Sequence, residues 1–457
     1  MLQVKKRHTL LGFSLVLAVG LVSVLTTAAG RDASSVRSDA KGRLQLRAID
    51  VGSGRPVPVR VQLVPSALLA PRQVELAPEG QLSLALAPGS YELIVSHGPE
   101  WSLFRRTLSV RPGEPLPVLA RLEREVDASA FTGCDLHVHT GESEDSDLPH
   151  DARRASLAAE DVQVAVLTDH NRVTELPSVP SGTIAVPGVE VTSWAPEFGH
   201  FNVFPRKSAP RYQRTSVQAM LRELRADPAS FVQINHPRLE THIGYFELTG
   251  LSAERRHLPE LGFDGLEVWN GYDLTRPSRR DEVFADWLML LGRGKRLVAT
   301  GGSDSHQLSA PFAGYPRTYV QLPRNQAHDV TRVVAALKQG RAFVSSGPIL
   351  EVEAQGMQPG DTLRLRPHQK QVTISIAVSA PRWMDVSRIE VYAGSERVIE
   401  RPMVRDQVRS ELTLEVPVEH AHSLVVVARG ERDMSALIGR SGALPYAFSN
   451  PIWLRRE

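Results

Sequence analysis

The sequence predicts a multidomain chain in which an α/β barrel or layered sheet lies between two all-β sandwiches. Three observations carry this expectation. At 457 residues the chain is long enough for two or three cores. Its middle alternates short apolar strands with amphipathic helices. On either side the pattern changes to short strands of period two, punctuated by glycine and proline turns.

Lys5-Lys6-Arg7-His8 is a basic start, Leu10 to Leu25 an apolar core and Thr27-Ala28-Ala29 a small-residue cleavage candidate. Together they predict a signal peptide over residues 1–29 and a mature chain that works outside the cytoplasm, in the periplasm, secreted or at the cell surface. An uncleaved anchor is the alternative, because the apolar run approaches the ~20 residues a membrane span requires; it would be the chain's one link to a membrane. The single cysteine, Cys134, rules out an intrachain disulfide and reads as a small buried apolar residue. Residues 30–41 are polar and read as a linker.

Residues 42–125 carry the runs Arg43 to Ile49, Val57 to Leu63, Gln81 to Leu86 and Ser90 to Val95, separated by turns such as Gly52-Ser-Gly and Pro88-Gly. They predict a small β-sandwich. The segment Leu-Ala-Pro-Gly-Ser-Tyr-Glu-Leu resembles the carboxypeptidase-regulatory-like fold. No chemistry is expected there, and the sandwich reads as a spacer or docking module.

In the middle, helices are expected over 151–161, from an N-cap at Ser216 to 225, and over 281–291 and 328–339. Apolar runs alternate with them, and each ends in a potential metal ligand. Val162 to Thr168 leads into Asp169 and His170, Thr183 to Val189 into Glu190, and Ser230 to Asn235 into His236. His137-Val-His139 opens the series, Gly-His200-Phe-Asn lies within it and Asp304-Ser-His306 closes it. Donors at strand ends are what a barrel with its site at the strand C-termini would show. His137 and His139, at i and i+2, share one face of a strand, whereas on a helix they would point about 200° apart. Imidazole and carboxylate donors with almost no thiolate suit zinc, manganese or iron.

From about residue 350 the chain turns β-rich again, with strands in Gln371 to Val378, Arg388 to Tyr392 and His422 to Ala428. His420 and His422 form another His-x-His pair and read as exposed strand residues. The net charge of +2 is balanced, and no basic run interleaved with aromatics appears, so a nucleic-acid partner is not expected. Nothing resembles a Gly-x-Ser-x-Gly nucleophile elbow.

Residues 131–348 resemble the PHP (polymerase and histidinol phosphatase) domain, in its CehA/McbA-like branch, through DLHVHT, SEDS, LTDHN, GVEV, GHFN, NHP, LEVWNG and GGSDSH in that order. The resemblance implies a distorted (β/α)7 barrel between the two sandwiches, holding two or three divalent ions of zinc, manganese or iron. It assigns His137, His139, Glu190 and Asp304 to a first ion. Glu190 would bridge to a second with His200 and His236. A third would take His170, His306 and a donor from the acidic segment. Many relatives have a histidine at that position; here the spacing points to Asp145, with Asp147 or His150 as substitutes.

Metals roughly 3.5–4 Å apart can deprotonate a bridging water and stabilise the oxyanion formed on attack. The expected function is therefore hydrolysis of a small phosphoester or a carboxyl or carbamate ester by metal-bound hydroxide. Glu190 and Asp304 belong to the catalytic set, with Asp169 either orienting His170 or carrying a proton. Glu267 and Asn270 are expected to support ligands rather than bind metal. Arg172 could attract an anionic substrate or form a surface ion pair. The alternative function is a cell-surface binding module whose metal-containing barrel is inactive.

Overall fold

The computed structural model describes residues 40–66, 72–176, 182–194, 197–213, 215–239, 243–252 and 262–457. The expected signal segment 1–29 and most of the linker lie outside the described residues.

In the first flank, alternation dictates the packing. Strand Gly42–Asp50 buries Leu44, Leu46 and Ala48 and exposes Arg43, Gln45 and Arg47 between them. It pairs with Gln81–Leu86 on one side and Pro115–Leu122 on the other. A four-stranded sheet, ordered Gln73–Ala77, Val59–Pro65, Gly89–Ser96, Phe104–Val110, faces it. The two share one core that includes Leu44, Leu46, Val59, Val61, Leu63, Leu93 and Val95. Each such side chain contributes roughly 1.5–3 kcal/mol when fully buried.

The donor-bearing strands lie in two further sheets. One places Ile184–Pro187, Val164–Leu167 and Thr132–Val138 in parallel, followed by antiparallel Arg317–Val320 and Ala342–Ser345. The other runs Val189–Trp194, Glu197–Phe204, Phe231–Ile234, Gly265–Asn270, Val298–Gly302. Single parallel bridges, His170 to Glu190 and Val138 to Ser305, link the donor-bearing ends of these strands. Helices His150–Ala159, Val217–Leu224, Pro277–Gly292 and Val330–Lys338 fall where the apolar period placed them. The Ser216 hydroxyl accepts from the Ala219 N–H, and Asp329 caps the last helix in the same way through Arg332 N–H.

The molecule is mainly β, in several sheets, and the described elements do not spell out a sevenfold β/α repeat. Only residues 195 and 196 separate Val189–Trp194 from Glu197–Phe204. A connection that short returns antiparallel, whereas a parallel crossover needs a dozen residues or more. No helix intervenes between Val298–Gly302 and Arg317–Val320 either.

The second flank does not begin with a new sheet. Ala342–Ser345 pairs with Tyr446–Ser449, which continues through Ser423–Arg429 and Arg388–Ala393 to Glu396–Pro402. A separate antiparallel sheet of Ile349–Ala354, Gln371–Ser379 and Arg409–Pro417 packs within the same core.

Three arginines, of which Arg60 is buried, fasten the first sandwich to the rest. Arg60 Nε donates to Glu160 Oε1 at 2.5 Å, both side chains being 2% exposed, and Arg60 Nη1 donates to the Leu437 carbonyl at 3.0 Å. Glu100 accepts from Arg124 and Arg324, and Asp161 accepts from the same two arginines at 2.8 and 3.0 Å. The sandwich expected to be a spacer or docking module is thus tied to the rest of the chain by ion pairs.

Candidate metal centre

Strand ends bring the separated donors together. Thr132–Val138 delivers His137 and His139, both fully buried. Val189–Trp194 delivers Glu190, and its antiparallel neighbour delivers His200. His236 follows Phe231–Ile234 and Asp304 follows Val298–Gly302. These last two have φ of +24° and +51°, a region that residues with a Cβ enter only when their surroundings enforce it.

Glu190 is the hub. Its Oε2 lies 3.2 Å from His137 Nε2, 3.3 Å from His139 Nε2 and 3.3 Å from His170 Nδ1. Its Oε1 lies 3.0 Å from His200 Nδ1, 3.2 Å from His236 Nε2 and 2.9 Å from Asn235 Nδ2. The two oxygens thus face different sets of imidazoles. Asp304 Oδ1 approaches His137 and His139 Nε2 at 3.3 and 3.2 Å. Asp145 Oδ2 approaches His306 Nε2 at 2.9 Å and His170 Nε2 at 3.2 Å.

Three groups of ligand atoms result, each gathered within 4.8 Å: His137, His139, Glu190 and Asp304; His170, Glu190 and His200; and His139, Asp145, His170 and His306. The first coincides with the expected first set. The second draws in His170, while His236 touches the same Glu190 oxygen as His200. In the third, the structure brings Asp145 to both expected histidines. His150 instead lies 3.9 Å from Glu142, and Asp147 enters no such group among the described residues.

The supporting contacts fix the ring orientations. His137 Nδ1–H donates to Glu267 Oε1 at 2.9 Å, which turns Nε2 toward Glu190 and Asp304. Glu267 Oε2 also accepts from the His236 backbone N–H at 2.8 Å and from Asn270 Nδ2 at 3.0 Å. Asn270 Nδ2 reaches Asp304 Oδ2 at 3.1 Å as well. Glu267 and Asn270 thus contact the candidate ligands His137, His236 and Asp304. Asp169 does not touch the His170 ring; its carboxylate accepts from Thr140 N–H at 2.6 Å, Thr140 Oγ1 at 2.7 Å and Thr174 Oγ1 at 2.5 Å. Arg172 is paired with Glu142 at 2.7 Å.

Several participants escaped the sequence reading. Ser143 Oγ accepts from His139 Nδ1–H at 3.0 Å and donates to Asp145 Oδ1 at 2.9 Å. Thr192 Oγ1 lies 2.8 Å from His170 Nδ1. Arg153 donates to the His139 carbonyl at 2.8 Å and the Ser305 carbonyl at 2.6 Å, tying the first and last motifs together. Its one legible signal is its place on the helix face that also buries Ser156 and Leu157.

Electrostatics favour positive charge at the centre. Burial alone would depress the His137 imidazole, but Asp304, Glu267 and Glu190 outweigh it and raise it well above the usual histidine range. Burial alone would raise Glu190, and the surrounding imidazoles, His137 foremost, hold it well below the carboxylate range. Asp304 behaves likewise. His139 Nε2, His236 Nδ1 and His306 Nε2 are buried without a hydrogen bond. For His139 and His306, those atoms point at nearby carboxylates. A buried cluster of histidine, glutamate and aspartate with such orphaned nitrogens has the donor set that a divalent ion needs, and could hold one.

No protein-family model and no curated protein matches this sequence. Among solved structures, 92% of the chain overlaps 50% of the Bacillus anthracis TIE protein at 6% identity and a TM-score of 0.17. It overlaps 58% of a calcium-binding mutant of Bacteroides uniformis beta-glucuronidase 2, again over 92% of the chain, at 10% identity and a TM-score of 0.17. With a pilus-presented adhesin the overlap is 91% of this chain and 97% of the other, at 9% identity and a TM-score of 0.16. The chain thus spans little more than half the length of the first two. Overlap at this level carries no argument about fold or activity.

Proposed function

We propose that this protein is an exported metal-dependent hydrolase of the PHP family, in its CehA/McbA-like branch, acting on a small phosphoester or a carboxyl or carbamate ester. The observation that carries the reading is Glu190, a fully buried carboxylate whose two oxygens face five imidazoles. An arrangement that concentrates buried donors around one carboxylate is costly to fold and is explained by the ions it would hold. In this reading the two sheets, bridged at His170–Glu190 and Val138–Ser305, are the halves of a distorted β/α barrel whose ligands stand at its strand ends. The basic and apolar start of the sequence supports export.

His137, His139, Glu190 and Asp304 would hold one ion, with Glu190 shared toward His200 and His236, and His170, Asp145 and His306 serving a further one. Divalent ions bound there supply a nucleophile from water near neutral pH and stabilise negative charge on the substrate oxygen. The chain's own residues do the remaining work. Glu267 holds His137 in the tautomer that presents Nε2, and it fixes the strained backbone at His236. Asp169 holds Thr140 and so the backbone just after His139, which makes it a positioning residue. Asn270 orients Asp304.

The test is a panel of aryl phosphomonoesters, phosphodiesters and carboxyl esters, offered to protein loaded separately with zinc, manganese or iron, alongside Glu190→Gln. Turnover of one class that Glu190→Gln abolishes is the expected result. A metal-replete protein that turns over none of them would favour the inactive binding module instead.

A further inference from the structure

The loop after Gly265–Asn270 is pressed onto the ligand set. A Cβ on Gly271 would lie 2.0 Å from the Ser303 carbonyl, next to Asp304, and 3.0 Å from Pro311. The Tyr272 N–H donates to Asn270 Oδ1 at 2.9 Å, and the side chain of the same Asn270 holds Asp304. Asp273 is buried on the other side. Between these fixed neighbours Tyr272 stands 38% exposed, the one aromatic among the large exposed hydrophobics of the described residues.

A third segment closes on this rim from far along the chain. Arg440 Nη2 donates to the Ala310 carbonyl at 3.3 Å, four residues beyond His306, and Gly442 approaches the Thr275 carbonyl. Arg440 is exposed, and among the described residues it has no carboxylate partner, unlike Arg172 on Glu142. The Tyr272 phenol senses both the ligand carboxylates and this guanidinium. Burial, then the charges of Asp304 and Asp145, push it up to about 12, while Arg440 pulls the other way. A phenol, whose ordinary pKa is ~10, is protonated at neutral pH, so the hydroxyl is a donor there.

We propose that Arg440 and Tyr272 form a specificity-determining rim that grips an anionic oxygen of the substrate beside the His/carboxylate cluster. The inference rests on the hydrolase reading and sharpens it, because an unpaired guanidinium at the rim favours an anionic ester over a neutral one. It also makes the C-terminal segment part of the substrate site.

The test uses the full-length metal-loaded protein, with inorganic phosphate and acetate as probes in titration calorimetry. Arg440→Ala should weaken at least one of these anions tenfold or more, Arg440→Lys should recover part of the loss, and Tyr272→Phe should weaken the same anion severalfold. A response confined to phosphate identifies a phosphoryl group as the one gripped; a response confined to acetate identifies a carboxylate. In turnover of 4-nitrophenyl phosphate or a carboxylate-bearing ester, the change should appear in KM rather than kcat. Affinities for both anions within twofold of wild type in Arg440→Ala would overturn the rim. Phosphate or acetate binding that depends on Arg440 in a protein that hydrolyses no ester would overturn the hydrolase reading and leave the rim standing.

Discussion

Two clusters of charge in this molecule use similar carboxylates to opposite ends. At the junction, Glu100, Glu160 and Asp161 meet Arg60, Arg124 and Arg324, and carboxylate oxygens face guanidinium groups directly. At the strand ends, Glu190, Asp304 and Asp145 meet six imidazoles, and His139 Nε2 and His306 Nε2 point at carboxylates without forming a hydrogen bond. Arginine is permanently charged and has no lone pair for a cation, so it neutralises carboxylates within the protein. Histidine offers a lone pair as readily as a proton, so its cluster is left open to a cation. A buried carboxylate is thus a fastener or a ligand according to which base surrounds it.

That contrast can be broken first at its hub. Glu190→Gln should abolish hydrolysis and reduce metal retention by far more than Asp145→Asn, whose carboxylate is half exposed and serves one group. Metal content and kcat/KM of both folded variants check this, and the reverse ranking would mean that Glu190 is not shared. At the junction the readouts should exchange. Arg60→Ala leaves Glu160 buried without its charge partner, a loss of about 3–5 kcal/mol for a buried pair. Chemical denaturation should register it while metal content per folded chain stays unchanged. For the same reason, removal of residues 1–125 should destabilise the remainder, since it strips Arg60, Glu100 and Arg124 from their partners.

Smaller effects sharpen the comparison. Glu267→Gln should lower metal affinity roughly 10–100-fold, the usual consequence of removing a carboxylate that orients a histidine ligand. Metal competition with a chelator measures it. The smallest effect concerns acid. Burial would raise the Asp161 carboxyl, but His97, Arg324 and Arg124 hold it below its usual range. A depressed folded-state value stabilises the protein above the unfolded pKa of about 4, and that stabilisation is lost as pH falls toward the folded value. The stability gap between wild type and Asp161→Asn should therefore be widest near pH 7 and shrink below about pH 4. A gap constant with pH would remove Asp161 from the account.

The candidate donor set is more legible in the sequence than the fold that presents it. His170, Glu190 and His236 follow apolar runs, and the i, i+2 spacing of His137 and His139 requires an extended backbone, so for these the local pattern suffices. Sheet order is not local. The two-residue connection after Trp194 imposed a hairpin where regular alternation was expected, and the pairing of Ala342–Ser345 with Tyr446–Ser449 joins residues a hundred positions apart. Arg60, Arg153 and Arg440 carry no local signal, because an arginine reads as surface until its buried or distant partner is known. Ser143 and Thr192 carried no signal beyond lying near ligands.

The central claim, that the histidine cluster is open because it holds ions, is tested most directly by elemental analysis of the purified full-length protein after reconstitution with zinc, manganese or iron. At least two equivalents of a transition metal per wild-type chain are expected, with a marked loss in Glu190→Gln. A folded wild-type chain that retains less than one equivalent would contradict it.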